Sequence, residues 1–163
     1  MCFEHRKNKI CPFEFSFPEG LEAGVYNIRI GARRTFIVTN GQEKKIRIEA
    51  DLNNLESFQG IAVSGAPDTE AYVKTMQGLI ARQVSSNDIA NLIDSCANPV
   101  LGAFVAFQSL SGSADFLDLQ KKALARLQAS HPNAEITAGY AQFLSTMESQ
   151  LLAQQARELI KVG

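Results

Sequence analysis

The chain has 163 residues, of which 45% are hydrophobic and 20% are charged. This length and composition fit one globular domain with a sizeable core and not a disordered segment. The formal net charge is −1, from 16 Lys and Arg against 17 Asp and Glu. Neither half is basic enough to predict nucleic-acid binding, which requires a clustered positive face. The longest apolar run, residues 99–107, is interrupted by Gly102 and is too short to cross a membrane.

The N-terminal residues are charged where a signal peptide would be apolar. The charged stretch at residues 4–9 follows the first three residues directly, so the chain is interpreted either as cytoplasmic or as an exported protein without its signal. If residues 2–11 form a hairpin that turns near Arg6-Lys7, Cys2 and Cys11 would face each other across it. A disulfide fits that arrangement, and two unrelated thiols are the alternative.

Potential metal ligands and thiols are few. Cys2, His5 and Cys11 supply three ligands where a closed zinc site needs four, and their spacing matches no zinc motif. No metal site is therefore predicted, and His5 is interpreted as a solvated turn residue. Cys96 lies at helical spacing from Ile93 and other apolar residues, which predicts a buried, unreactive thiol.

Alternation of apolar and polar residues predicts an antiparallel sheet, or a partial sandwich, in residues 1–65. The predicted strands cover residues 13–17, 26–30, 34–39, 45–50 and 58–64. Their inward side chains are Phe13, Phe15, Phe17, Tyr26, Ile28, Ile30, Ile46, Ile48 and Ala50. Asn40-Gly41 is a strong hairpin signal and predicts pairing of the strands on either side of it. The three phenylalanines are expected to pack on the helical half through Phe104 and Phe143.

The period changes after Pro67, and residues 68–160 predict a bundle of about five helices. These start at Asp68 or Thr69, at Ser86 or Asn87, at Asn98-Pro99, near Ala114 and near Ala134. Their buried stripes are predicted to hold Tyr72, Met76, Leu79, Ile80, Leu101, Phe104, Val105, Gln108, Phe116, Leu119, Ala123, Leu124, Leu127, Ile136, Tyr140, Phe143, Leu144, Met147 and Leu151. The fold class is therefore α+β in a single domain covering residues 1–163. Residues 161–163 are interpreted as the start of a linker.

The sequence contains no recognised arrangement of catalytic residues. His131 precedes a proline between two helices and is interpreted as a connector. The pairs Asp88 and Asp94, and Asp115 and Asp118, lie near predicted helix starts, where negative charge complements the helix dipole. The sequence contains neither of the Gly-rich phosphate motifs. No catalytic residue, cofactor site or metal site is predicted.

Four cations flank the predicted hairpin. Arg33-Arg34 and Lys44-Lys45 would gather at one edge of the sheet if the chain turned at Asn40-Gly41. Such a group could bind an anion or an acidic partner. The alternative is a charged edge that discourages association between sheets.

Several segments together resemble a known module. They are Phe13-Glu14-Phe15-Ser16-Phe17, Gly24-Val25-Tyr26-Asn27-Ile28-Arg29, residues 46–51, residues 63–72, Ala97-Asn98-Pro99, the stretch from Pro132 to Leu144, and residues 158–163. Their order resembles the N-terminal β-plus-helical domain that precedes TlpA/ResA-like thioredoxin modules in envelope proteins of certain Gram-negative bacteria. Relatives usually have one or two further strands and a lipoprotein signal, which leaves open whether Cys2 is a lipid-anchor cysteine.

The resemblance implies a non-catalytic accessory domain of an exported thiol-disulfide oxidoreductase. Such a domain would position a downstream thioredoxin-like module or bind client proteins, in the periplasm or anchored at the outer membrane. The family's catalytic cysteines lie in that downstream module, so no functional residue carries over to this chain. One alternative is a stand-alone binding or adhesion domain of the envelope. Another is a small hydrolase or isomerase that uses His131 with a carboxylate.

The first prediction concerns thiol chemistry. The sequence contains no Cys-x-x-Cys, and a lone thiol lacks the resolving partner that completes disulfide exchange. We therefore expect the purified chain to show no turnover in insulin reduction or in the refolding of scrambled ribonuclease. Turnover that persists in both Cys11→Ala and Cys96→Ala would contradict the accessory role.

Overall fold

The computed structural model describes residues 3–5, 8–10 and 15–162, and these form an α+β fold with the strands first, as predicted. The strands are β1 (Phe3–His5), β2 (Asn8–Ile10), β3 (Gly24–Ile30), β4 (Arg33–Thr39), β5 (Arg47–Glu49) and β6 (Ala62–Ser64). The helices are α1 (Pro67–Ile80), α2 (Ser86–Ser95), α3 (Pro99–Leu110), α4 (Leu117–Ser130) and α5 (Glu135–Val162). Short 3₁₀ helices cover Leu52–Ser57 and Ala114–Phe116.

The described strands are antiparallel, as predicted, and they pair as three two-stranded sheets. A hairpin is present at the N terminus, where β1 pairs with β2 with Phe3 opposite Ile10. Cys2, Cys11 and the suggested turn residues Arg6 and Lys7 lie outside the described residues. The structure therefore tests neither the disulfide nor the alternative of two unrelated thiols.

The main hairpin turns at Gly31-Ala32, so the prediction of a hairpin at Asn40-Gly41 was wrong. β3 pairs with β4 from Gly24 opposite Thr39 to Ile30 opposite Arg33. Gly31 has a φ of +61°, the conformation that the first position of a two-residue hairpin loop often requires. β5 pairs instead with β6, with Ile48 opposite Val63.

The carboxylate of Glu43 explains why the chain does not turn back after Asn40-Gly41. It accepts hydrogen bonds from the N–H groups of Asn40, Gly41 and Gln42, each at 3.1 Å, and from the Thr39 hydroxyl. These N–H groups therefore bond to a side chain of the same loop and are not free to pair with a second strand. Gly41 has a φ of +84°, and a Cβ there would lie 3.1 Å from the Ala23 nitrogen. The glycine serves close packing here and not a β-turn.

The predicted strand at residues 13–17 was also wrong over its described part. Residues 15–17 are not a strand, and Phe15 and Phe17 are 68% and 55% exposed; Phe13 lies outside the described residues. The place against the helices is taken by Phe36 of β4, whose ring meets that of Phe104 edge-on at 5.2 Å. Phe143 packs instead on Phe107, at 5.0 Å.

The two faces of the β3–β4 hairpin have different environments. Val25, Phe36 and Val38 share the face that packs on the helical core. Tyr26 lies opposite Ile37 on the other face, which it shares with the half-buried Ile28 and Ile30. The predicted alternation was correct, but the half-buried side chains that it identified on β3 lie away from the helices.

The last two predicted strands are shorter than expected. Residues 52–57 form a 3₁₀ helix that ends at Phe58, which has a φ of +59°. Gly60 has a φ of +67°, so two residues of the predicted strand at 58–64 are not extended, and the strand starts at Ala62. Ala50, predicted inward, is exposed, whereas Ile46 is half-buried.

The helical half matches the predicted pattern closely. The core includes Tyr72, Ile89, Ile93, Val100, Leu101, Phe104, Val105, Ala123, Leu127, Tyr140 and Leu144. Ile80, predicted to be buried, is 54% exposed because it is the last residue of α1. α5 includes residues 161 and 162, which were interpreted as linker, and Gly163 lies outside the described residues.

The helix starts differ from the predicted caps in two cases. α2 is capped by Ser85, which forms a reciprocal capping box with Asp88. Asn98 caps α3 as predicted, accepting from the Val100 N–H. Thr69 does not cap α1, since it lies inside the first turn and its hydroxyl contacts β4.

Thr69 and Asn98 join the end of β4 to the helices. The Thr69 hydroxyl accepts from the Val38 N–H at 3.0 Å and donates to the Val38 carbonyl at 2.7 Å. The Asn98 amide donates to the Thr39 carbonyl at 3.3 Å and to the Asp68 carboxylate at 2.8 Å. Because Val38, Thr39 and Thr69 are fully enclosed, these bonds satisfy polar groups that water cannot reach.

The corrected position of Phe15 gives a stability prediction. Phe15→Ala should change the free energy of unfolding by no more than about 0.5 kcal/mol, as expected for an exposed side chain. Phe104→Ala should lower it by about 3–5 kcal/mol, because it leaves a cavity under Phe36. Urea denaturation of the two variants measures both values, and a large loss from Phe15→Ala would overturn its exposed placement.

The Glu43 loop gives a pH prediction. Partial burial raises the pKa of Glu43, but the hydrogen bonds from Thr39 and the loop N–H groups outweigh this effect and hold the pKa below its ordinary value of 4.5. A lowered folded-state pKa contributes stability above the unfolded value that is lost as the pH falls. Glu43→Gln should therefore flatten the decrease in stability between about pH 5 and pH 3. Glu19→Gln, in an exposed turn, is the matched control, and an equal flattening there would contradict this origin.

Candidate interaction surfaces

His131 lies at the end of α4, as the predicted connector. Its Nδ1 atom is 2.8 Å from the Ser130 hydroxyl, and the Thr137 hydroxyl donates to its carbonyl at 2.6 Å. The Ser130 hydroxyl lies 3.0 Å from the Arg126 carbonyl, to which it donates. The same hydroxyl lies 3.2 Å from the Leu127 carbonyl, so it contacts the backbone of α4 as well as the imidazole.

A shallow depression of about 330 Å³ brings a carboxylate to the same place. It is lined by Glu22, Ala23, His131, Pro132, Asn133 and Ala134. This is the pairing of His131 with an acid that a small hydrolase would need. The depression is open, however, whereas general acid–base catalysis depends on burial to separate the pKa values of its groups.

The four aspartates are structural groups of the helix ends. Hydrogen bonds from the Ser85 side chain and N–H lower the pKa of Asp88 in its capping box. Asp115 and Asp118 are in first turns, as predicted. Asp94 is near the end of α2 and not near a start, and its carboxylate binds Lys122 of α4 at 2.7 Å.

Cys96 is buried, as predicted, but it has a polar neighbour that the sequence did not indicate. Its thiol is 3.5 Å from one guanidinium nitrogen of Arg126, and another donates to its carbonyl at 2.9 Å. A Cβ at Gly102 would lie 3.0 Å from the sulfur. The thiol is thus enclosed between α2, α3 and α4 and is poorly placed to attack a disulfide of another protein.

Two phenols in the core are the most strongly perturbed titratable groups. Burial raises the pKa of Tyr72 and of Tyr140 well above the ordinary value, and each hydroxyl has no hydrogen-bond partner in the described structure. Tyr72 packs between Phe58 and Phe104, so its environment is aromatic. Both tyrosines therefore act as core residues.

The second half of α5 carries an exposed leucine. We call residues 148–162 the α5 extension. A depression of about 390 Å³ lies where the extension passes the start of α4, lined by Leu117, Ser145, Glu148, Ser149, Leu151 and Leu152. Leu152 is 66% exposed. At the rim, a hydrogen bond to the Glu148 carboxylate raises the pKa of Lys121 and links α4 to α5.

The predicted group of four cations does not form. Arg33 is the first residue of β4, a seven-residue strand about 23 Å long, and Lys44 comes after the other end of that strand. Arg33 is ion-paired with Glu56 at 2.8 Å. Arg34 instead lies directly across the hairpin from Arg29, which was not among the four predicted cations. Only the strand register could have identified this pair.

Among the described residues, no group of three His, Cys, Asp or Glu side chains is placed to hold a metal ion. None of the helices described is long and apolar enough to cross a membrane. Two features lie at the surface, the exposed Leu152 of the α5 extension and the exposed Arg29–Arg34 pair. No protein-family model, curated protein or solved structure matches this chain.

Proposed function

We propose that this chain is a non-catalytic interaction domain that holds a partner module against the α5 extension. The partner is the thioredoxin-like module of an exported thiol-disulfide oxidoreductase, as the resemblance of residues 13–163 implies. The observation that carries the proposal is the exposure of Leu152 on a helix that continues for ten further residues, to Val162.

The length of α5 supports a docking role. Its 28 residues span about 42 Å, whereas the 14 residues of α4 span about 21 Å. Tyr140 and Leu144 are buried, and among the α5 residues whose burial is described, Met147 is the last that packs against the core cluster. The helix then continues for 15 residues, to Val162. A helix of this length needs further packing to hold its end, since most helical stability in proteins comes from tertiary contacts.

The composition of the extension suits a protein partner. Leu152 is exposed, Leu151 is half-buried, and Arg157 is exposed further along. Covering an exposed leucine completely contributes about 1.5–3 kcal/mol. An apolar side chain flanked by charges is the usual composition of an interface between domains, which is more polar than a core.

The thiol chemistry of the proposed protein belongs to the partner. Cys96 is buried and enclosed by Arg126 and Gly102, so it is not exposed for exchange with a client. This agrees with an accessory role, in which the domain positions a redox module or presents a client to it. The compartment proposed is the periplasm or the outer membrane.

The second candidate is a stand-alone envelope binding domain. It is favoured by the Arg29–Arg34 pair, which belongs to the β part and not to the α5 extension. A domain with no redox module would use that surface alone. The coding sequence that follows Gly163 distinguishes the two candidates, because the accessory domain of an oxidoreductase requires a Cys-x-x-Cys in the downstream module.

Amide hydrogen exchange tests the docking role of the α5 extension. A helix end with few apolar contacts opens at low free energy. In the isolated chain, residues 157–162 should therefore exchange faster than residues 140–151. When the residues encoded after Gly163 are restored, protection of residues 157–162 should increase, and Leu152→Gln should reduce that increase.

The control is Gln142→Ala, an exposed position on the first half of α5, which should leave the protection unchanged. Equally strong protection of both stretches in the isolated chain would contradict the proposal, because the helix would then be complete without a partner. The absence of a downstream Cys-x-x-Cys would instead favour the stand-alone binding domain.

A further inference from the structure

We infer that the Arg29–Arg34 pair binds the carboxylates of an acidic segment of a partner protein. Arg29 is near the end of β3 and Arg34 near the start of β4, next to the Gly31-Ala32 turn. Both side chains are exposed. This inference does not rest on the proposed role of the α5 extension, which is a separate surface.

The strand register places the two arginines side by side. They are direct cross-strand partners, so their side chains lie on the same face of the hairpin. Val38 uses its N–H and carbonyl groups to bind Thr69, so Val25 and Val38 form a non-hydrogen-bonded pair. The two kinds of pair alternate along an antiparallel ladder, and Arg29 and Arg34 lie four residues from Val25 and Val38. They are therefore also a non-hydrogen-bonded pair, in which the Cα atoms lie about 4.5 Å apart.

Neither guanidinium is neutralised within the part of the chain that the structure describes, where no carboxylate lies within ion-pair distance of either. The next residue, Arg33, has Glu56 as its partner. Like charges directly opposite on paired strands repel each other. A bound anion between the two guanidiniums removes that repulsion, so the free hairpin favours an anionic ligand.

Arg34 is held in place by an aromatic ring. Its guanidinium carbon lies 5.9 Å from the centre of the Phe36 ring, within range of a cation–π contact. Phe36 is fixed in turn by its edge-on contact with the buried Phe104. One of the two cations is thus oriented from the core before any ligand arrives, which lowers the entropy lost on binding.

The number of charges favours a protein segment over nucleic acid or lipid. A guanidinium presents a planar fork of donors that binds a carboxylate through two parallel hydrogen bonds. Two forks suit two neighbouring acidic side chains, and the exposed Asn27 follows on the same face. Nucleic acids and anionic membranes are bound by larger groups of cations, and this chain has a net charge of −1.

Titration with an acidic peptide tests the inference. The probe is unlabelled hexaglutamate, added to the ¹⁵N-labelled chain and followed by NMR at the arginine Nε–H signals. We expect the Arg29 and Arg34 signals to shift together and the Arg47 signal to stay. The double variant Arg29→Gln/Arg34→Gln should weaken binding at least about tenfold, since bonds to charged groups are lost.

The matched control is Arg47→Gln/Lys122→Gln, which removes two exposed cations that are ion-paired with Glu49 and Asp94. It should change peptide affinity less than about twofold, because its cations are not at the site. An unchanged thermal unfolding midpoint in both double variants shows that each remains folded.

Three outcomes would overturn the inference. One is the absence of any shift in the wild-type chain at millimolar peptide. Another is an equal loss of affinity in the control variant, which would mean that only overall charge matters. The third is tighter binding to phosphatidylglycerol vesicles or to a 12-base-pair DNA duplex than to hexaglutamate, which would assign the pair to phosphates.

Discussion

The two hydrogen bonds between Thr69 and Val38 connect the two halves of this fold. A two-stranded hairpin is marginally stable by itself, and β3–β4 depends on the helices for its apolar cover. The Thr69 hydroxyl binds both backbone groups of Val38, so the first turn of α1 is fixed to the strand. The side-chain amide of Asn98 donates to the Thr39 carbonyl, which fixes the start of α3 to the end of the same strand. The position of the hairpin, and with it the direction of Arg29 and Arg34, follows from this junction.

The helices could be predicted because their signals are local. The spacing of Tyr140 and Leu144, and the Asn98-Pro99 start of α3, need no knowledge of distant residues. Strand pairing depends on which segments meet, and there the prediction failed at particular residues. Asn40-Gly41 is typical of a hairpin, but the Glu43 carboxylate accepts hydrogen bonds from the N–H groups of both residues. Thr69 has the chemistry of a helix cap and instead binds a strand 31 residues earlier in the chain.

The candidate surfaces were predictable to different degrees. The exposed Leu152 of α5 lies where the apolar stripe of the sequence becomes sparse, after Leu151. The arginine pair required the register of β3 on β4, and a one-residue shift would have moved Arg29 to the other face. The sequence identified Arg34 correctly as part of a cationic group but assigned it the wrong neighbours. The tertiary fold determines which charged side chains become neighbours, and this cannot be derived from the composition.

The junction at Thr69 also limits how this sheet can grow. Edge strands have unpaired backbone groups that recruit strands from other chains. At Val38 the outer edge of β4 is already occupied by a side chain from α1, which acts there as a neighbouring strand would. β3 is the other edge of this two-stranded sheet among the described strands. Any strand from a partner that extends the sheet along its full length must therefore pair with β3, on the outer side of Arg29.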